Sequence, residues 1–201
     1  MITQDIDAII KFHGHLCPGL AIGIRAAEMA LMEIGPQAAD EELVAIVETD
    51  MCGVDAIQFI TGCTFGKGNL IHLDYGKNAF TFIRRSDGQA IRIVTKPQSM
   101  EDSTSDHGGK NDVVVNQGDT QNEWHYKVIN RERVQEILDL PFEVLFDVEA
   151  VGPDIPHKAR IRESIQCQEC GESVMETRVR FLRGRQLCIP CFKAAEKELD
   201  G

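Results

Sequence analysis

Apolar positions along this chain change their period several times, and each change marks an element. Residues 5–12 carry Ile6, Ile9 and Ile10 at helical spacing, which predicts a short helix. In Pro18–Ile34, Leu20, Ile24, Ala27, Leu31 and Ile34 fall on one helical face. Cys17 precedes this helix as its N-cap, and Pro18 takes the first helical position, where an N–H has no partner to lose. Gly35-Pro36 closes it. Leu43–Val47 is apolar without a break, the pattern of a strand covered on both faces. A turn at residues 50–53 leads to a second short helix over residues 54–61. Residues 69–73, Ala79–Arg84 and Ala90–Thr95 then read as strands, with Asp87-Gly88 folding the last two into a hairpin.

Residues 96–121 are polar and rich in Gly, Ser and Asp apart from Val113-Val114-Val115, and read as a long loop. Residues 121–138 predict a helix and residues 142–148 a strand. Mixed helices and strands with a hairpin make the fold class α+β. The clearest boundary is Val151-Gly152-Pro153-Asp154-Ile155-Pro156, since two prolines and a glycine in six residues give a stiff non-helical linker. The expected organisation is a core domain over residues 1–150, a linker over 151–160, and a small module over 161–201.

Bulk numbers refine this picture modestly. The chain's 201 residues suit one medium domain and an appendage, and 43% hydrophobic with 26% charged content is that of a soluble globular protein. A formal charge of −11 disfavours the whole molecule as a nucleic-acid binder. From Lys158 to Arg185, however, seven Lys or Arg face four Glu, a net +3 that leaves −14 on the remainder. No apolar run reaches the roughly 20 residues of a membrane span, and the first residues lack a basic leader, so a cytoplasmic location without membrane contact is expected. Thiols stay reduced there, and seven cysteines, an odd count, point to metal or thiol chemistry rather than disulfides.

Four of the seven lie at the C-terminal end. Cys167-Gln168-Glu169-Cys170 and Cys188-Ile189-Pro190-Cys191 are two C-x-x-C pairs with seventeen residues between them, a spacing that suits one tetrahedral four-thiolate Zn²⁺. Gly171 frees the backbone after the first knuckle, and the second pair opens a helix over residues 192–199 whose dipole favours thiolates. The layout resembles a treble-clef or zinc-ribbon module, too poor in apolar residues to fold without its metal. Arg178, Arg180, Arg183 and Arg185 form a basic strip that suits an acidic protein surface better than a nucleic acid.

A less regular group lies near the start. His13 and His15 alternate in the turn His13-Gly14-His15-Leu16-Cys17, and Cys17 sits where a helix N-terminus favours thiolate. Cys52 follows the apolar strand, flanked by Asp50 and Asp55. Asp55, Gln58 and Thr61 share a stripe of the short helix. The loop Thr61-Gly62-Cys63-Thr64-Phe65-Gly66-Lys67-Gly68-Asn69 is glycine-rich but is no P-loop, because the Gly-Lys pair comes one residue early and Gly68 replaces the Mg²⁺-binding hydroxyl residue. These residues predict a second metal site, holding zinc, nickel or iron. Cys17, His15 and Cys63 are its expected ligands, His13 and Cys52 substitutes or supporting partners, and Asp55 the carboxylate that orients a histidine or a water. Cys17, Cys63, Asp55 and Lys67 are the candidate catalytic residues.

Taken in order, Phe12-His13-Gly14-His15-Leu16-Cys17-Pro18-Gly19, Cys52-Gly53-Val54-Asp55-Ala56-Ile57-Gln58, residues 61–69 and Asp74-Tyr75-Gly76-Lys77-Asn78-Ala79-Phe80 resemble the FmdE family, named for a component of formylmethanofuran dehydrogenase, over about residues 5 to 150. Part of that family carries a C-terminal zinc module. The resemblance implies a dimeric α+β core with a metal pocket lined by these His, Cys and Asp residues. It also implies association with a molybdenum or tungsten enzyme of methanogenic one-carbon metabolism. Three functions follow as expectations: a metal-binding component of such an oxidoreductase, an independent metal- or thiol-dependent enzyme, or a zinc-module regulator that binds nucleic acid or RNA polymerase.

Overall fold

The computed structural model describes residues 6–35, 43–97, 113–117, 124–152 and 155–199. The chain divides between Lys158 and Ala159 into two units, each described by itself.

The larger unit is built on the unbroken apolar strand. β2 (Leu43–Val47) is central in a five-stranded sheet of order β3-β2-β4-β5-β8, where β3 is Leu70–His72, β4 Ala79–Arg84, β5 Ala90–Thr95 and β8 Phe146–Ala150. β2 and β3 run parallel, and the other pairs are antiparallel. Because side chains alternate across a strand, Leu43, Ala45 and Val47 face one core while Val44 and Ile46 face another. The first core includes Phe80, Phe82, Ile91 and Ile93 of the sheet and the buried faces of α2 (Pro18–Ile34) and α3 (Gly53–Thr61). Val44 packs on the opposite face with Ile83 and Ala90, and Ile46, Ile71 and Val151 border that cluster. The apolar run thus covers both faces of the sheet, as its pattern predicts.

Glycines decide how the two helices meet. A Cβ on Gly23 would lie 2.2 Å from the Gly53 carbonyl oxygen, and one on Gly53 would lie 3.0 Å from the Gly19 oxygen. No side chain fits at these positions, so the backbones of α2 and α3 approach closely and their N-termini come side by side.

Several elements differ from the sequence expectation. Residues 124–128 fall in the expected helix, yet Trp124–Val128 is a strand, β7, and the helix α4 occupies only Arg131–Asp139. Trp, Tyr and Val favour strands, and β7 has partners on both sides that propensity cannot reveal. It pairs parallel with β1 (His15–Leu16) and antiparallel with β6 (Val113–Gln117). β6 lies within the expected loop, of which residues 98–112 and 118–121 fall outside the described residues. Asn130 takes a left-handed conformation at φ 52° and accepts from the Arg133 N–H, which starts α4 where β7 ends. The expected strand at residues 142–148 opens instead as one helical turn, α5 (Phe142–Leu145), because Pro141 presets its start, and β8 begins at Phe146. Finally, α1 is Ile6–His13, so His13 ends a helix rather than lying in the turn. Among the described residues no helix is long and apolar enough to cross a membrane.

The smaller unit consists of two hairpins and a helix. β9 (Ser164–Gln166) pairs with β10 (Ser173–Met175), and β11 (Arg180–Leu182) with β12 (Arg185–Leu187). α6 (Ile189–Lys197) follows with Cys188 as N-cap, three residues ahead of the predicted start. Arg183 and Gly184, both at positive φ, form the two-residue turn of the second hairpin. A small cluster of Cys167, Leu187 and Cys188, with Val174, Leu182, Phe192 and Ala195 against it, makes up the interior.

Candidate metal centres

In the smaller unit the sulfurs of Cys167, Cys170, Cys188 and Cys191 all lie within 4.8 Å of one another. Local chemistry sets this geometry. Gly171, at φ 74°, lets its N–H bond back to the Cys167 carbonyl at 2.9 Å and closes the first knuckle. The Cys188 N–H donates to the Cys167 sulfur at 3.3 Å. Backbone N–H bonds from Cys188 and Cys170 lower the Cys167 pKa to about 7, so this thiol is ready to ligate near neutral pH. The adjoining thiols push Cys191 up to about 12, with Cys188 as the largest cause. Four sulfurs crowded this way repel one another as thiolates unless a cation joins them. The set fits a structural tetrahedral Zn²⁺.

In the larger unit a second group forms. The ligand atoms of His13, His15, Cys17 and Cys52 all lie within 4.8 Å of one another. Each arrives by a different local device. His13 is the last residue of α1, and Gly14, at φ 98°, turns the chain out of the helix. His15 and Leu16 then pair with Lys127 and Val128 of β7, and the Ile129 N–H holds the Leu16 carbonyl at 2.8 Å. Cys17 caps α2, its sulfur accepting from the Leu20 N–H at 3.4 Å. Cys52 occupies the same position before α3, and the glycine crossing of the two helices brings it to Cys17.

Asp55 completes the arrangement. One turn into α3, its Oδ2 lies 2.7 Å from His13 Nδ1. With the Nδ1 proton donated to this carboxylate, Nε2 carries the free lone pair, as in carboxylate-oriented metal histidines. That Nε2 is buried with no hydrogen-bond partner, on a side chain only 10% exposed. An orphaned buried acceptor among two thiols and a second imidazole is what a soft-to-borderline cation would satisfy. Two imidazoles and two thiolates suit zinc, nickel or iron, and fit a transition metal. Burial, with His13 next in effect, pushes the His15 pKa down and favours its neutral ligating form. Cys17 departs from expectation: burial raises its thiol to about 11, outweighing the Leu20 N–H, so the helix terminus alone does not produce a free thiolate.

Two sequence candidates stand apart from this group. Cys63 is 0% exposed, donates its S–H to the Leu43 carbonyl at 3.3 Å, and is pushed up in pKa by burial. Lys67 is exposed on the following loop, which Asn69 holds by accepting from the Thr64 N–H and donating to the Leu43 carbonyl. The polar stripe of α3 also splits, because Thr61 is buried and returns its hydroxyl to the Ile57 carbonyl at 2.6 Å, while Gln58 reaches Asp55 at 3.4 Å. The contributions that sequence reasoning missed are those of Gly19, Gly23 and Gly53; their spacing, Gly-x-x-x-Gly on α2 opposite a glycine at the start of α3, was the available signal.

Comparisons with known proteins agree with this architecture. Residues 160–197 match the prokaryotic dksA/traR C4-type zinc finger. A solved structure from Syntrophus aciditrophicus, described as an FmdE-like protein of tungsten formylmethanofuran dehydrogenase, has a similar fold. Its TM-score is 0.64 at 22% identity, covering 94% of this chain and 91% of the other. A "Probable S-adenosyl-L-methionine-binding protein" of Archaeoglobus fulgidus is 34% identical over 198 residues, 94% of this chain and 53% of that protein, so the chain spans about half the length of this curated relative. Residues 12–147 match the family described as FmdE, Molybdenum formylmethanofuran dehydrogenase operon, and this protein belongs to it.

Proposed function

We propose that this FmdE-family protein holds a transition metal in its core, bound by His13, His15, Cys17 and Cys52. In this reading it serves as the metal-binding partner of a molybdenum or tungsten formylmethanofuran dehydrogenase, or of a related one-carbon oxidoreductase. The observation that carries the core site is the unpartnered Nε2 of His13, buried among three further donors and oriented by Asp55. A bound ion would supply Lewis acidity or a stabilised thiolate there. The chain's own part is to fix the donors: Asp55 sets the His13 tautomer, β7 anchors His15, and the crossing of α2 and α3 joins the two sulfurs. Association with the dehydrogenase, work in a methanogenic pathway and the cytoplasm rest on family membership. A homodimer is part of the same proposal, supported by the half-buried Ile46 and Ile71 beside the outer cluster of the sheet. Co-purification from a native host tests the partner: components of the dehydrogenase should accompany the chain, and their absence from a gently isolated complex counts against this reading.

A second reading is an independent metal- or thiol-dependent enzyme. It is favoured by the half-buried state of His15 and Cys52, which leaves part of the centre open to small molecules, and by the name of the Archaeoglobus relative. Calorimetric titration of the metal-replete chain with S-adenosylmethionine separates the two, since saturable binding supports this one. The regulator reading keeps only the basic strip of the zinc module in its favour.

A further inference from the structure

We propose that Cys52 is the reactive sulfur of the core centre, the side chain that accepts an alkyl group from a small carbon electrophile while Cys17 remains a permanent ligand. The inference rests on the core metal reading above and adds a chemical division between its two sulfurs.

Both cysteines precede a helix, yet their surroundings are opposite. Cys17 is extended, at φ −142° and ψ 166°, which aims its sulfur back at the first turn of α2, where it receives the Leu20 N–H. It is 7% exposed. A ligating sulfur that accepts an N–H bond in a buried site gives up electron density and access together. Cys52 has helical torsions, φ −47° and ψ −34°, and its side chain makes no capping bond to α3. It is half-buried, and the adjacent Met51 is 59% exposed. Gly19 lies beside it without a side chain, and a Cβ there would meet the Cys52 Cβ at 3.3 Å and its sulfur at 3.9 Å. One flank of this sulfur is therefore left open by the absence of a side chain. The third core cysteine, Cys63, is fully buried and hydrogen-bonded to a carbonyl.

A cysteine ligand is already a thiolate, so it needs no neighbouring base to become a nucleophile. The Cys52 sulfur donates an electron pair to a saturated carbon. A C–S bond forms as the bond from carbon to the leaving group breaks, and the leaving group departs with its electron pair. No oxidant and no proton are required. The thioether formed is a weaker donor than the thiolate, and His13, His15 and Cys17 remain as the set that holds the ion. His13 and Asp55 secure the fixed side of the centre, and Cys52 the exchangeable side.

The test is time-resolved alkylation of the full, metal-replete chain with iodoacetamide, read by peptide mass spectrometry, with metal counted in the same sample. Peptide mapping keeps the four C-terminal cysteines separate. Cys52 should be modified on the order of tenfold or more faster than Cys17, with Cys63 unreactive, and C52S should abolish the fast core modification. Two metals per chain with Cys17 modified as fast as Cys52, or with neither modified, overturn the inference and leave the core metal reading standing. One metal per chain at the outset overturns the core metal reading and this inference with it.

Discussion

The two cysteine-bearing sites of this protein are assembled in contrary ways. In the C-terminal unit all four donors come from two local pairs, each closed by a knuckle of a few residues, and the interior is otherwise a handful of apolar side chains. Such a unit has little to fold around except its metal. In the core, three donors come from residues 13–17 and the fourth from residue 52, and a helix crossing brings them together. Here a large apolar core exists without the ion. One site makes its fold, whereas the other is made by its fold, and the consequences of removing each metal should differ accordingly.

Stripping the C-terminal zinc is expected to have the largest effect. Structural zinc contributes about 10 kcal/mol or more to small modules near neutral pH. C188S, or a strong chelator, should therefore unfold residues after about 160, release about one zinc per chain, and leave the core transition intact. Circular dichroism with metal counting checks this, and unchanged metal content in C188S would refute the four-thiolate assignment.

Next comes Gly23→Ala. The added methyl must displace the Gly53 backbone, an overpacking cost on the order of 3 kcal/mol or more. The core melting temperature should drop and core metal be lost with it, while the module keeps its zinc. A G23A variant that melts like wild type means the helices do not meet as described.

A smaller, chemical effect is expected from Asp55→Asn, which keeps shape but removes the carboxylate from His13. Core metal affinity should fall by about 10–100-fold with little change in apo stability. Competition with a coloured chelator measures it, and equal affinity in the variant argues that His13 is not a ligand.

Proton linkage is the finest test. Cys17, raised to about 11, must shed a proton on entering the centre, whereas His15, pushed down by burial, is already neutral at pH 7. Between pH 7 and 8 the Cys17 proton alone should therefore weaken core binding by about tenfold for each pH unit lowered. Replacing His15 should not change that slope. Calorimetry in buffers of different ionisation enthalpy counts the protons, and zero release contradicts a thiolate Cys17 ligand.

The C-terminal site could be read directly, because its spacing is the site: Cys167 and Cys170, then Cys188 and Cys191, constrain one ion within two turns of chain. The core helices and the hairpin were equally legible, since period and turn residues are local. β7 was not, for Trp124–Val128 carries no strict alternation and owes its form to β1 and β6. Likewise, residues 13–17 announced metal chemistry, but their partner was legible only as a choice between Cys52 and Cys63. Both cysteines follow or precede the same short helix. The fold places the first at its N-terminus, against Cys17, and the second beyond its C-terminus, under the Leu43 carbonyl.

By itself, then, the sequence determined the elements whose information is local: the amphipathic helices, the buried strand, the zinc knuckles and the donor types. Tertiary structure decided which cysteine joins the histidines, which imidazole nitrogen is free, and why Cys17 is a protonated thiol without metal. Those outcomes depend on contacts between residues about 40 positions apart, as in the 42-residue separation of His13 and Asp55. They also depend on burial, which outweighed the helix terminus at Cys17 because removing water from a charge costs more than one N–H bond returns.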